Sequence, residues 1–382
     1  MSNSSNLIAK DATVSFCCVE VGRYVVFPCI GKANNRKYNV HLAKEKETDK
    51  LYAIRICTLE DEKDDTDFFF LQKEVRMLSQ LKHSNILQLV DVFVAGSDIL
   101  IVTPLMDYGS VKDLIHFRYH FGLPEQLIAT VLYDVLLALE YLHEHDFIHR
   151  FLNVSVRCSH ILLSSQGKVC LSGFRLVTSV LESDRRLRKL HEFTEDFQSS
   201  LMWFAPEVLE QNIAGYGIKS DIYSLGIAGC EMANGFVPFS NMSNIQMFWE
   251  KLRGVTPRLL DGKTLPAIET TDPMDASTDE QRNRWFSDKF HAFIELCLKF
   301  HPYDRPTAKA LLKHGFFRQY KKECRSVSSF LADVNPLSVS EDNIHGGFLA
   351  ENTFPTSLED SSSSKEFCDH DHDASTYWSF GD

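Results

Sequence analysis

Residues 147–176 read FIHRFLNVSVRCSHILLSSQGKVCLSGFRL, and this stretch decides how the rest of the chain is understood. It opens on His149-Arg150 and closes with an apolar strand, Lys168-Val169-Cys170-Leu171, followed by Gly173-Phe174-Arg175. Between Asp146 and Glu182 there is no Asp or Glu. No carboxylate within the stretch can therefore take a hydroxyl proton or hold a divalent cation.

The spacing of these landmarks resembles the catalytic and metal-binding loops of protein kinases. There His-Arg-Asp-x-x-x-x-Asn supplies a base and one metal ligand, and Asp-Phe-Gly supplies the other ligand. Gly173 stands in the slot of the magnesium-binding Asp. Counting back the usual distance to the catalytic-loop Asn reaches His160, and Ser155 then falls in the slot of the base. Arg157 takes the place of the catalytic-loop Lys. Phe151 to Val154 remain as an insertion after His149-Arg150. Whether Ser155 or Phe151 aligns with the base, neither accepts a proton. The resemblance implies an α+β, two-lobed protein-kinase-like fold, with a small β-rich N-lobe and a large helical C-lobe, whose catalytic positions are degenerate.

Working outward, the 382 residues accommodate such a domain with an arm and a tail. The expected division is a polar arm over 1–20, an N-lobe over 21–103, a C-lobe over 104–320 and a disordered tail over 321–382. Hydrophobic residues make up 44% and charged residues 24%, as in ordinary globular chains. A net charge of -12 argues against nucleic acid or an anionic membrane surface as the main partner. No run approaches the roughly 20 apolar residues of a membrane span, and the first residues lack a signal-peptide core. Ten cysteines without a C-x-x-C pair suit reduced thiols. A cytoplasmic home is expected, with the nucleus as a second compartment.

In the N-lobe, Tyr24-Val25-Val26-Phe27 and Leu51-Tyr52-Ala53-Ile54 read as strands. The turn between the first strands, Gly31-Lys32-Ala33-Asn34-Asn35-Arg36, has one glycine where nucleotide-binding loops have three, so its grip on phosphate is weak or absent. Ala53-Ile54-Arg55 stands where kinases place their strand lysine. Arg55 keeps the charge, but its planar fork suits a carboxylate better than a lysine-like approach to phosphates. A helix from about Asp67 to Lys82 carries Glu74, either the partner of Arg55 in a closed small lobe or a solvated charge. The apolar run Ile99 to Val102 leads through Thr103 to a crossover whose Pro104 carbonyl and Met106 amide would hold adenine. Ser110-x-x-Asp113 reads as a capping box, and apolar spacing predicts a long helix from Pro124 to about His145.

Farther along, the segment Leu176 to Phe204 has the position and length of an activation loop, with a basic run at Arg185, Arg186, Arg188 and Lys189 that suits a docking face. Ala205-Pro206-Glu207, Ser220-Asp221-Ile222-Tyr223-Ser224-Leu225-Gly226 and Asp304-Arg305-Pro306 are well-kept large-lobe markers, and Glu207 and Arg305 are expected to form a buried pair. Thr264 to Arg284 reads as an inserted loop. The tail is rich in Ser, Asp and Glu. Its Asp369 to Asp373 run is a weak metal candidate. It ends in Trp378-Ser379-Phe380, two aromatics suited to a partner's pocket.

Several of these stretches together resemble the STRAD family, the sterile-20-related adaptor pseudokinases. They are Ser-Val-Arg-Cys-Ser-His at 155–160, Lys-Val-Cys-Leu-Ser-Gly-Phe-Arg at 168–175, Lys-Ser-Asp-Ile-Tyr-Ser-Leu-Gly-Ile at 219–227, Glu231 to Phe239, and the terminal Trp-x-Phe. The resemblance implies a non-enzymatic, allosteric adaptor that activates the upstream tumour-suppressor serine/threonine kinase of the AMP-activated-kinase pathway. It further implies a helical-repeat scaffold of the calcium-binding-protein-39 type that takes Trp378 and Phe380, and ATP as a structural ligand without magnesium. Arg55, Arg157 and Arg175 would neutralise its phosphates, with Glu74, Pro104 and Met106 completing the site. The insertion at 151–154 and the two residues Gly381-Asp382 after Phe380 depart from the family pattern. An atypical, weakly active serine/threonine kinase and a passive nucleotide-free scaffold stand as alternatives.

Overall fold

The computed structural model describes residues 19–33, 38–58, 65–148, 156–174, 178–179, 181–182, 185–186, 198–210, 216–265, 279–320, 326–337 and 378–379. Alternating apolar residues build the small-lobe sheet from β1 (Val19–Val21), β2 (Tyr24–Ala33), β3 (Tyr38–Glu45), β4 (Leu51–Thr58), β5 (Asp91–Ala95) and β6 (Asp98–Pro104), in the order β1-β2-β3-β4-β6-β5. These neighbours are all antiparallel. Side chains of a strand alternate between faces. Tyr24, Val26, Ala43, Ile54, Leu100 and Val102 accordingly pack on one side, while Phe27, Ile30, Ala33, Val40, Leu42 and Ala53 form a separate cluster. Helix α1 (Asp65–Gln80) joins the lobe through Leu71, which packs with Tyr38, Cys57, Ile99 and Ile101.

After the crossover come α2 (Val111–Phe117) and α3 (Glu125–Glu144), then β7 (Phe147–Ile148), β8 (Ile161–Leu163) and β9 (Val169–Leu171). The expected capping box opens α2: the Asp113 amide donates to Ser110 Oγ at 3.1 Å, and the Ser110 amide donates to Asp113 Oδ2 at 2.8 Å. By length and composition α3 could cross a membrane, yet it lies largely buried, with Leu127, Val131, Leu139 and Leu142 in the large-lobe core. Its apolarity is thus accounted for by packing. Short strand pairs follow: β10 (Thr178–Ser179) on β7, and β11 (Leu181–Glu182) against β12 (Arg185–Arg186).

Helices α4 (Pro206–Leu209), α5 (Lys219–Asn234), α6 (Asn244–Leu252), α7 (Asp279–Asn283), α8 (Asp288–Cys297), α9 (Ala308–Leu311) and α10 (Gly315–Arg318) complete the lobe. Every residue of α5 from Ser220 to Asn234 is buried, which makes it the axis of the lobe. It stops at Gly235, whose φ of 86° only glycine adopts readily. A Cβ there would lie 2.2 Å from the His120 carbonyl oxygen.

The expected end of the core at residue 320 falls short. Beyond it α11 (Val327–Phe330) and the residues after it pack on the large lobe, with Val327 and Leu331 wholly buried. Tyr108 Oη donates to the Leu331 carbonyl at 3.2 Å, and the Leu337 amide donates to the Asp107 carbonyl at 2.8 Å. Serine-rich composition concealed an amphipathic turn, in which Val327 and Leu331 are one helical turn apart and share a face. Last comes β13 (Trp378–Ser379), which pairs with β2.

Candidate functional site: the cleft between the lobes

The register of β4 is fixed on both sides: Arg55 lies opposite Val40 of β3 and Ile101 of β6. This places its guanidinium against α1, where Arg55 Nη2 donates to Glu74 Oε2 at 2.6 Å. The pair is enclosed, with side-chain exposures of 18% and 5%. Burial pulls the Arg55 guanidinium down, but the Glu74 carboxylate together with Cys57 and Tyr38 outweighs it and the net shift is upward, so the arginine stays charged. The guanidinium also stands 5.9 Å from the centre of the Tyr38 ring. Its Nε is buried and finds no partner among the described residues.

At the crossover Thr103 Oγ1 donates to the Ala53 carbonyl at 3.4 Å, and Pro104 ends β6 opposite Tyr52. Met106 is buried with Leu162, Cys170 and Leu87. Its carbonyl accepts from the Gly109 amide at 2.9 Å, so the backbone is turned toward α2.

Below the Arg55–Glu74 pair lie Arg157, His160 and Gly173. Arg157 is buried just before a turn of 3-10 helix over Cys158–His160. Its Nε donates to His160 Nε2 at 3.2 Å, and its guanidinium lies 5.5 Å from the Trp203 ring centre. Arg157 and His160 are thus brought together, in the interior. The His160 carbonyl accepts from both the amide and the hydroxyl of Ser172, at 2.8 and 3.0 Å. Gly173 adopts φ 78°, and Phe174 beside it sits in the large-lobe core. Ser155, Arg175, Phe380, the insertion 151–154, the turn Asn34–Arg36 and the Asp369–Asp373 run lie outside the described residues. Of Trp378, the structure describes the backbone in β13.

Two buried groups escaped sequence reasoning, which quoted Glu231 and Asp221 only as parts of family markers and did not name His143. Glu231 of α5 accepts from Trp203 Nε1 at 3.1 Å and faces the Cys158 amide at 3.4 Å. Burial raises its pKa, opposed by those hydrogen bonds. His143 of α3 and Asp221 of α5 meet at 2.8 Å, both buried. The one signal for Glu231 is its place in the apolar run Ile227 to Met232, where a carboxylate needs donors. Among the described residues no three His, Cys, Asp or Glu side chains cluster as a metal site.

The expected large-lobe pair is present and bidentate. Arg305 Nη1 and Nη2 donate to Glu207 Oε1 and Oε2 at 2.7 and 2.8 Å. The remaining guanidinium hydrogens go to the carbonyls of Lys299, Phe300 and Lys219. Nearby, Lys251 of α6 is wholly buried and donates to the carbonyls of Met202 and Phe204 at 2.6 and 2.9 Å. Its Nζ also lies 5.3 Å from the Tyr223 ring centre, and burial drives its pKa well below the ordinary lysine value.

Comparison with known proteins now decides the family. The protein kinase domain model matches residues 34–317. The chain is 38% identical over 360 residues to human STE20-related kinase adapter protein alpha, covering 88% of this chain and 82% of the relative. The chicken alpha protein is 38% identical over 338 residues, covering 82% and 86%. Human STE20-related kinase adapter protein beta is 34% identical over 344 residues, covering 84% and 81%. This chain belongs to the STE20-related kinase adapter family. The kinase fold is present in the described residues, with the Arg55–Glu74 pair formed and with Arg157, His160 and Gly173 at the positions expected from the sequence to be degenerate.

Proposed function

We propose that this chain is an allosteric adaptor: it catalyses no phosphoryl transfer and instead presents a closed, kinase-shaped surface that favours the active form of a client serine/threonine kinase. One pairing of observations carries the reading. The contact that holds the small lobe closed is built and enclosed, at 2.6 Å, while the loop beneath it lacks any carboxylate from residue 147 to 181. Losing one preorganised stabiliser costs a reaction about 100- to 1,000-fold, and here the base and both metal ligands are replaced together.

Population shift supplies the mechanism. Moving a client from 1:99 to 99:1 active requires about 5.5 kcal/mol of differential affinity, which an interface of ordinary size can provide. We take the client to be the upstream tumour-suppressor kinase of the AMP-activated-kinase pathway, with the helical-repeat scaffold of the calcium-binding-protein-39 type reading Trp378 and Phe380. Reconstitution tests this: client activity should rise when this protein and the scaffold are added together. Unchanged activity at saturating concentrations defeats the proposal, and full activity from a client merely tethered by a linker reduces the protein to a passive scaffold.

ATP as a structural ligand is part of the same proposal. The reading is supported by Arg55 Nε, which is buried without a partner among the described residues and could donate to a phosphate oxygen; adenine would be held by the Pro104 carbonyl and the Met106 amide. Bound there, a nucleotide would supply charge and packing rather than a reacting phosphate. A rise in melting temperature with ATP that does not require magnesium supports this role, and no rise removes it without touching the adaptor proposal.

A further inference from the structure

Strand β2 has one edge paired with β3 from Tyr24 to Ala33, while β1 covers its other edge only from Tyr24 to Val26. Beyond Val26 that second edge would present open backbone groups, a ready template for another strand. Trp378 and Ser379 occupy it. They run parallel to β2, with Trp378 opposite Gly31 and Ser379 opposite Lys32. The same two residues lie against α2. Since β2 belongs to the small lobe and α2 to the large one, this short strand bridges the two lobes.

A second observation brings the chain to the same place. Leu337 donates its amide to Asp107 in the crossover and packs its side chain on the cluster that contains Phe27, Ile30 and Ala33 of β2. The core therefore hands the chain over beside the strand that β13 joins. Forty residues of sequence separate Leu337 from Trp378, and at a maximum of about 3.5 Å each their contour is ample for the return to β2. Because both belong to one chain, the pairing of Trp378 and Ser379 with β2 carries no cost of bringing two molecules together.

We infer that the C-terminal segment of this chain docks in cis on the open edge of β2, across the two lobes. The terminal Trp-x-Phe is then either on its own small lobe or in a partner's pocket, and release from β2 becomes part of any partner's binding reaction. The cis contact stands independently of the adaptor proposal; only the identity of the competing partner rests on it.

Hydrogen exchange of the full-length protein tests this, read in peptides that cover residues 28–33. Ser379→Pro removes a backbone donor and breaks the short ladder, whereas Ser379→Ala keeps it. The proline variant should exchange roughly fivefold to tenfold faster at the one of the two adjacent amides, Gly31 or Lys32, that faces β13 rather than β3, with Ser379→Ala unchanged. A synthetic peptide of residues 370–382, added in excess to the proline variant, should restore protection. Equal exchange in the parent and the proline variant overturns the proposal. Protection that falls on tenfold dilution of the parent protein assigns the contact to a second copy and also overturns docking in cis.

Discussion

Replacing Glu74 by alanine isolates the contact on which the closed small lobe depends. Glu74 has 5% and Arg55 18% of its side chain exposed, so both groups are largely removed from water. Without Glu74 the guanidinium stays buried with Nη2 newly unpartnered beside an already unpartnered Nε. Removing one member of a buried ion pair costs roughly 3 to 5 kcal/mol. Because Arg55 keeps some access to water, the lower end is expected, about 3 kcal/mol. If that loss falls on the docking of α1, its amides should exchange about 100-fold faster, each 1.4 kcal/mol being a factor of ten. Urea unfolding and hydrogen exchange over residues 68–80 measure the two quantities. The double variant Arg55→Met, Glu74→Leu replaces charge by apolar packing and should recover most of the stability, since such exchanges are often neutral. Client activation should follow α1: lost in Glu74→Ala and regained in the double variant. A cost below about 1 kcal/mol for Glu74→Ala, with exchange in α1 unaltered, would refute the claim that this pair holds the lobe.

Other outcomes follow from the same physical arguments. Arg305→Lys gives up the fork that meets Glu207 at 2.7 and 2.8 Å, and should lower stability by about 3 kcal/mol in chemical denaturation. Gly235→Ala should cost well beyond the ~1 kcal/mol of an ordinary left-handed glycine, because its Cβ would meet the His120 carbonyl oxygen at 2.2 Å. Asp261 is buried and accepts from the amides of Lys263, Thr264 and Phe286 and from His291. Burial raises its pKa, but these donors outweigh it and hold it below the ordinary value of 3.8. Its folded pKa is thus depressed, so the stability it contributes is complete above about pH 4 and is lost as pH falls through the folded value. Acid unfolding of Asp261→Asn should show a weaker dependence below pH 4 than the parent, from a lower starting stability.

Much of the fold was legible because its markers are local. Strand alternation placed β2 and β4, helical spacing placed α1 and α3 within two residues of their ends, and the Ser110–Asp113 capping box marked the start of α2. The Arg55–Glu74 and Glu207–Arg305 pairs were readable because each partner sits in a motif with a known place in the fold. The direction taken by Arg157 was not legible. Its charge suggested phosphate, yet Trp203 and His160 draw it into the interior, and those neighbours come from separate parts of the chain. The same limit hid Glu231, whose donors lie on Trp203 and Cys158. It also hid the core-packed segment at 326–337, where serines outnumber the two side chains that anchor it, Val327 and Leu331.

The buried amine of Lys251 has a bearing on control. It grips the carbonyls of Met202 and Phe204 from below, at the exit of the long segment that leads to α4. In many kinases that segment is reshaped by an added phosphate, which toggles the enzyme between forms. Here its exit is nailed from underneath by a side chain that no modifying enzyme can reach. The entry to α4 is thereby fastened from within the core, which leaves the outer edges of the fold, such as that of β2, as the places where other chains can exert control.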